Sequence, residues 1–160
     1  MQWLRIRPFH IRKFATATLM LTGFSLLLLS AGCSDGRGTR VPISGTVTID
    51  GEPLKHGSVT FFPIASGDGY RAGGGSLDEN GQYRISSYTA FDGLLPGKYE
   101  VTILAVEPIN DESQRWHAPK SYSSAATSGL TIEIKDESVM DLELSWTKDE
   151  SHSAPYVEKF

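Results

Sequence analysis

The chain has 160 residues, a formal net charge of −4 and a single cysteine. One cysteine excludes an intramolecular disulfide framework and a cysteine-based zinc site. Residues 33–160 contain eleven basic and nineteen acidic side chains, which gives this part of the chain a net charge of −8. So acidic a chain repels polyanions, which argues against nucleic acid or an anionic membrane face as its partner.

The first 32 residues are typical of a targeting segment and are set aside from the fold. A basic start precedes an uncharged stretch over residues 14–34, whose middle is strongly apolar. The apolar part ends in the small residues Ala31 and Gly32, which are followed by Cys33. This pattern predicts an exported protein.

The residues Ala31, Gly32 and Cys33 resemble the lipobox that bacterial lipoprotein signal peptidase recognises. The resemblance implies cleavage before Cys33, a lipid on its sulfur, and a protein anchored at the periplasmic or cell-surface face of the envelope. Ser30 departs from the family, which prefers leucine at that position. Two or three acyl chains form a stable anchor, and residues 33–40 then act as a flexible tether. An ordinary secretory signal and an uncleaved transmembrane anchor remain as alternative interpretations.

Short segments in which apolar and polar residues alternate follow the tether, and a period of two predicts strands. The predicted strands are residues 41–49, 58–62, 71–77, 82–86, 99–104, 130–135 and 140–146. Turn signals such as Asp50-Gly51 separate them, and no amphipathic helix is evident. The pattern predicts an all-β fold, an antiparallel seven-stranded β-sandwich of Ig-like or transthyretin-like kind over residues 41–147.

Two segments lack this alternation. Residues 108–129 show no period and are predicted to form a long loop, and residues 148–160 are expected to be a polar, frayed tail. Trp116, His117 and Tyr122 lie in the predicted loop, where exposed aromatic rings can stack on sugars or anchor a protein partner. The alternative is that the rings of Trp116 and Tyr122 fold back over an open edge of the sandwich.

The order of turn and strand motifs resembles the carboxypeptidase regulatory-like domains. The segments that carry the resemblance are residues 41–48, 50–54, 57–63, 78–83, 95–101, 120–122 and 127–131. The last two match a lipoprotein version that is common in planctomycetes. The resemblance implies a transthyretin-like sandwich without catalytic activity that serves as a folding support or a binding module.

No catalytic or metal-binding constellation is evident in the sequence. The histidines are isolated, and no Gly-x-Ser-x-Gly elbow is present. The turn at Asp78 and Asn80 lacks the glutamate that closes a calcium loop, since residue 89 is Thr. Hydroxyisourate hydrolases share the transthyretin-like architecture, but their Tyr-Arg-Gly-Ser ending is missing. We therefore expect no enzymatic activity, no cofactor and no metal.

The leading hypothesis is a non-enzymatic β-sandwich, anchored to a membrane through lipid on Cys33, that binds or scaffolds an envelope protein or a glycan. One alternative is a carbohydrate-binding module that uses the aromatic residues of the 108–129 segment. Another is a purely structural envelope protein without a small ligand.

Overall fold

Strands dominate residues 38–136 and 139–160, the part of the chain that the computed structural model describes. The eleven strands described there are β1 (Ser44–Ile49), β2 (Glu52–Pro53), β3 (Ser58–Pro63), β4 (Gly73–Ser76), β5 (Gln82–Arg84), β6 (Gly97–Leu104), β7 (Val106–Asn110), β8 (Ser113–Trp116), β9 (Leu130–Ile134), β10 (Leu142–Leu144) and β11 (Tyr156–Lys159). The helical segments described are two 3₁₀ turns, Lys120–Ser123 and Trp146–Lys148, and one short helix, α1 (Ala125–Ser128). The signal segment over residues 1–32, Cys33 and most of the predicted tether lie outside the described residues.

The strands form several sheets in which most neighbours are antiparallel. One sheet has the order β4-β3-β6-β9, and a second sheet pairs β11, β8 and β7. Strand β1 pairs antiparallel with β2 and β5. Its pairing with β10 is parallel, which departs from the wholly antiparallel arrangement predicted. A parallel pair needs a long crossover, and the chain between β1 and β10 provides one.

The prediction of an all-β fold is confirmed, and each of the seven predicted strands coincides with one described strand. These seven are β1, β3, β4, β5, β6, β9 and β10. Alternation identified most of them because one face of the strand is buried. In β6, for example, Tyr99, Val101 and Ile103 are buried, whereas Glu100 and Leu104 are exposed. Strand β4, which consists of three glycines and Ser76, was predicted from its place before the hairpin turn at residues 78–81.

The centre of the core lies between the sheet that contains β3 and β6 and the strands β1 and β5. Phe61 is completely buried there, and its ring centroid lies 6.2 Å from that of Tyr83 and 6.4 Å from that of Tyr99. Aromatic pairs at such separations contribute beyond the area that they bury. Burial raises the pKa of Tyr99 to about 12, and its hydroxyl donates to the carbonyl oxygen of Leu95 at 2.9 Å.

The prediction of a long loop over residues 108–129 is wrong. Strands β7 and β8 form an antiparallel hairpin there, and a 3₁₀ turn and α1 follow it. The hairpin was missed because β7 contains Pro108 and buries none of its residues, so no apolar alternation marks it. Pairing along β8, and not burial, holds β7 in place.

The expectation of a frayed tail is also wrong, because β11 pairs antiparallel with β8. The carboxylate of Glu158 accepts hydrogen bonds from Gln114 Nε2 at 2.9 Å, Trp116 Nε1 at 2.9 Å and Lys120 Nζ at 2.8 Å. The bond from Lys120, followed by those from Trp116 and Gln114, lowers the pKa of Glu158 to about 2. Hydrophobic periodicity cannot reveal a strand that is held by polar contacts of this kind.

Arg40 also differs from its predicted place in a flexible tether. Its Nε donates to Ser87 Oγ at 3.1 Å, and its Nη2 donates to the carbonyl oxygen of Gly69 at 3.1 Å. The Arg40 Nε atom also lies 3.8 Å from Oδ2 of Asp92. The folded unit therefore includes Arg40.

Candidate functional site

A groove of 890 Å³ opens beside β5 on the side of the strands that faces away from the core. Gln82 and Arg84 of β5 are exposed, and Tyr83 between them is buried. Because side chains alternate between the two faces of a strand, Ser44 and Thr46 of β1 share the outer face with Gln82 and Arg84. The groove is lined by Ser44, Gly45, Thr46, Gly74, Gly75, Ser76, Asp78, Gln82, Tyr83, Arg84, Ser86, Phe91, Val139 and Asp141.

Glycines of β4 form the floor of the groove. A Cβ atom on Gly73 would lie 2.7 Å from Leu94 Cδ2 in the core, so the next residue, Gly74, lies on the outer face. A Cβ on Gly75 would lie only 2.2 Å from the carbonyl oxygen of Arg84, so the two strands can approach this closely only at glycine. An isolated bridge between Gly74 and Ser86 joins them. The result is a flat floor of main chain.

Arg84 and Phe91 form one wall. The Arg84 guanidinium carbon lies 4.0 Å from the centroid of the Phe91 ring, which is within the range of a cation–π interaction. Phe91 is 49% exposed. None of the ion pairs among the described residues involves Arg84. The wall therefore presents a cation that forms no ion pair with a described carboxylate.

The loop that carries Phe91 is held by its own polar side chains. Phe91 has a φ of 59°, a conformation that is rare for a bulky residue, and its N–H donates to Ser86 Oγ at 2.9 Å. The Asp92 carboxylate accepts from the N–H groups of Ser87 at 2.7 Å and Tyr88 at 3.0 Å. Burial opposes ionisation of Asp92, but these backbone bonds outweigh it and lower its pKa. The main chain of Phe91 is therefore held beside the groove.

Asp141 contributes a negative charge to the groove, and the neighbouring Tyr83 contributes none. Asp141 Oδ1 accepts from the N–H of Thr46 at 2.8 Å, and this is the only hydrogen bond that its carboxylate makes among the described residues. The Tyr83 hydroxyl donates to the carbonyl oxygen of Met140. Burial, and then the charge of Asp141, raise the pKa of Tyr83 far above its ordinary value. Tyr83 therefore keeps its proton, and Oδ2 of Asp141 remains an available acceptor.

The structure does not bring Trp116, His117 or Tyr122 to this groove. Of the two interpretations, the one with exposed rings does not hold for Trp116 and Tyr122, which are 4% and 5% exposed. The hairpin and β11 cover Trp116, and its Nε1 donates to Glu158. His117 lies apart from the groove, with its Nε2 atom 3.0 Å from Oε2 of Glu107. The interpretation in which Trp116 and Tyr122 pack back onto the fold agrees with these positions.

The groove residues were not identified from the sequence. The signal that could have found them is the run of three glycines at residues 73–75, because glycine inside a strand often marks close approach of another backbone or of a ligand. Within residues 38–136 and 139–160, no group of three or more His, Cys, Asp or Glu residues is arranged to hold a metal ion. No helix in that part of the chain is long and apolar enough to cross a membrane.

The chain was compared with protein-family models, with curated proteins and with solved structures. None of the three comparisons found a match. The resemblance to carboxypeptidase regulatory-like domains therefore stays a prediction from sequence motifs.

Proposed function

We propose that this chain is a non-enzymatic, lipid-anchored β-sandwich module of the cell envelope that binds a ligand in the groove beside β5. The groove is the observation that carries the proposal. Its 890 Å³ falls within the range of about 300–1,000 Å³ that is usual for ligand sites. An unneutralised cation, an exposed aromatic ring and a half-satisfied carboxylate converge there on a floor of glycine main chain.

The sandwich architecture is part of this proposal. The sheet β4-β3-β6-β9 and the strands around β1 enclose a shared core, as the two layers of a sandwich would. The order of the seven predicted strands supports a transthyretin-like module of the carboxypeptidase regulatory-like kind. The hairpin β7–β8 and strand β11 would then be additions to that module.

The anchor belongs to the proposal on the strength of the sequence. A basic start, an apolar stretch and small residues before Cys33 support export and lipid attachment at that cysteine. The partners of the protein would then be the membrane, through its lipid, and an envelope component, through its groove.

The lining of the groove favours binding over catalysis. Nucleophilic catalysis needs a nucleophile within hydrogen-bond reach of a base. The lining contains neither histidine nor cysteine, and its carboxylates, Asp78 and Asp141, accept hydrogen bonds from backbone N–H groups. The Tyr83 hydroxyl is committed to the carbonyl oxygen of Met140, and Ser86 Oγ accepts from the N–H of Phe91. These groups stabilise the walls and leave the groove free for a ligand.

We expect substitution of Ser76 by Trp to abolish retention of the protein on envelope material, because Ser76 is an exposed residue of the groove lining. Both this variant and the control carry Cys33→Ser, so that lipid does not contribute to retention. The control is Ser66→Trp, an exposed position outside the lining. The measurement is co-sedimentation with insoluble cell-wall material from which lipids have been extracted.

The parent protein and the Ser66→Trp control should sediment with the cell-wall material, whereas Ser76→Trp should stay in the supernatant. Equal behaviour of all three proteins would contradict a ligand site in the groove. That result would favour the purely structural envelope protein.

A further inference from the structure

The geometry of the groove points to a saccharide that carries a carboxylate as its ligand, with the Arg84 guanidinium binding that carboxylate. This inference rests on the proposed function, because it names the ligand class of the same groove. Four features of the groove carry it: the state of Arg84, the exposed Phe91 ring, the hydroxyl-rich lining and the closed strand edges.

Arg84 differs in its contacts from Arg40, although both guanidinium groups stack on an aromatic ring. The Arg40 guanidinium carbon lies 4.3 Å from the ring centroid of Tyr88. Its N–H groups donate to Ser87 Oγ and to a backbone carbonyl oxygen, and its Nε atom also forms an ion pair with Asp92. Arg84 makes no such hydrogen bond among the described residues, and its contact is with the face of Phe91. Stacking leaves the in-plane N–H groups free, and their fork matches a carboxylate in a bidentate pair.

The remaining lining suits a ligand that carries many hydroxyl groups. Thr46, Ser76 and Gln82 provide groups that both donate and accept hydrogen bonds. Asp141 Oδ2 can accept from a ligand hydroxyl, since Oδ1 alone is used by the N–H of Thr46. A ligand with one carboxylate and several hydroxyl groups can bind Arg84 through the carboxylate and donate a hydroxyl hydrogen bond to Asp141. A purely anionic ligand would instead be repelled by Asp141.

The floor and one wall offer surfaces against which a sugar ring can lie. Gly74 places no side chain above the outer face of β4, so a ring can approach the main chain closely. The exposed ring of Phe91 is amenable to stacking beside the bound carboxylate. Hydrogen bonds within the loop hold the main chain of Phe91, so little backbone freedom is lost when a ligand binds.

A peptide ligand fits the groove less well. Peptides are bound by free sheet edges, by apolar grooves or by aromatic-lined clefts. Strand β1 is already flanked by β5 and β10, and β4 is paired with β3 and bridged to Ser86. The large apolar side chains of the lining that are exposed are limited to Phe91 and Val139.

The test uses the full-length protein in detergent and measures its affinity for a sugar hexamer made of five galactose units and one terminal galacturonate, which carries a single carboxylate. The matched probe is the same hexamer with that carboxylate methyl-esterified, which removes the charge and keeps the sugar. We expect the acidic hexamer to bind at least about tenfold more tightly, because charge-assisted bonds to Arg84 are lost with the ester. Arg84→Gln should weaken binding of the acidic hexamer by about 10- to 100-fold.

The control variant is Arg71→Gln, which removes an exposed arginine that stacks on Tyr88 at 4.5 Å and does not line the groove. It should leave the affinity unchanged, and thermal unfolding should show that both variants are folded. Equal affinity for the two hexamers, absence of binding by the acidic hexamer, or an unaffected Arg84→Gln variant would overturn the inference.

A peptide with a free C-terminal carboxylate and its C-terminal amide distinguish the second class of ligand. Tighter binding of the free acid than of the acidic hexamer, lost in Arg84→Gln, would show that the groove takes peptides and would overturn the saccharide. The proposed function would survive that outcome if Ser76→Trp still abolished retention on cell-wall material. It would fail if Ser76→Trp had no effect there.

Discussion

Replacement of Phe61 by Ala should lower the free energy of unfolding by about 3–5 kcal/mol, the usual cost of truncating a buried aromatic ring. Phe61 has no exposed surface, and its ring lies between those of Tyr83 and Tyr99 at the centre of the core. Removing the ring leaves a cavity in the core beside Tyr83 and Tyr99. The measurement is urea unfolding of the Cys33→Ser protein, followed by tryptophan fluorescence.

The adjacent residue provides the matched control. Phe62 belongs to the same strand and is 40% exposed, because its side chain points to the opposite face. Phe62→Ala should therefore change the free energy of unfolding by less than about 1 kcal/mol. Similar losses for the two variants would contradict the assignment of Phe61 to the core.

Replacement of Gly45 by Ala should cost about 3 kcal/mol, at the upper end of the range for overpacking. A Cβ on Gly45 would lie 2.1 Å from the carbonyl oxygen of Met140 and 3.0 Å from the Tyr83 hydroxyl. The obstacle is backbone, which cannot rotate away as a flexible side chain can. The added methyl group would therefore force apart β1 and the segment that leads into β10.

Gly74→Ala is the control for this prediction. Gly74 also lies in a strand, and its nearest neighbour to an added Cβ would be the carbonyl oxygen of Val59 at 3.1 Å. Its cost should stay near about 1 kcal/mol, which is typical of a substitution that needs only small shifts. Urea unfolding measures both variants, and a Gly74→Ala loss as large as that of Gly45→Ala would contradict the close contact with Met140.

The sequence predicted the strands that bury one face and missed those that do not. Alternation located β6 because Tyr99 and Val101 point into the core. Strand β11 was missed because side-chain hydrogen bonds hold it. The Glu158 carboxylate accepts them from Gln114, Trp116 and Lys120. Hydrophobic periodicity reports burial, so it does not detect strands that are held by backbone pairing and by side-chain hydrogen bonds.

The candidate site could be predicted only in part. Export and the role of Cys33 follow from local sequence, and they remain predictions because those residues lie outside the described part of the chain. The groove depends on contacts across the chain, such as the approach of Gly75 to Arg84 and the hydrogen bond from Thr46 to Asp141. A single sequence gives no signal that Arg40 uses its N–H groups in hydrogen bonds, whereas Arg84 makes none among the described residues.

Trp116 shows a second limit of prediction from the sequence alone. Its position in a segment without periodicity left open whether the ring is exposed or folds back, because burial of that ring depends on β11, which lies 40 residues further along the chain. Contacts between segments so far apart cannot be read from local composition.

The most direct test of a lipid-anchored module is the intact mass of the protein recovered from the membrane fraction, measured beside the Cys33→Ser variant. We predict a mass equal to that of residues 33–160 plus acyl chains, and loss of both the added mass and the membrane association in the variant. An unmodified mature chain in the soluble fraction, the same in both proteins, would contradict the anchor and make this a secreted domain.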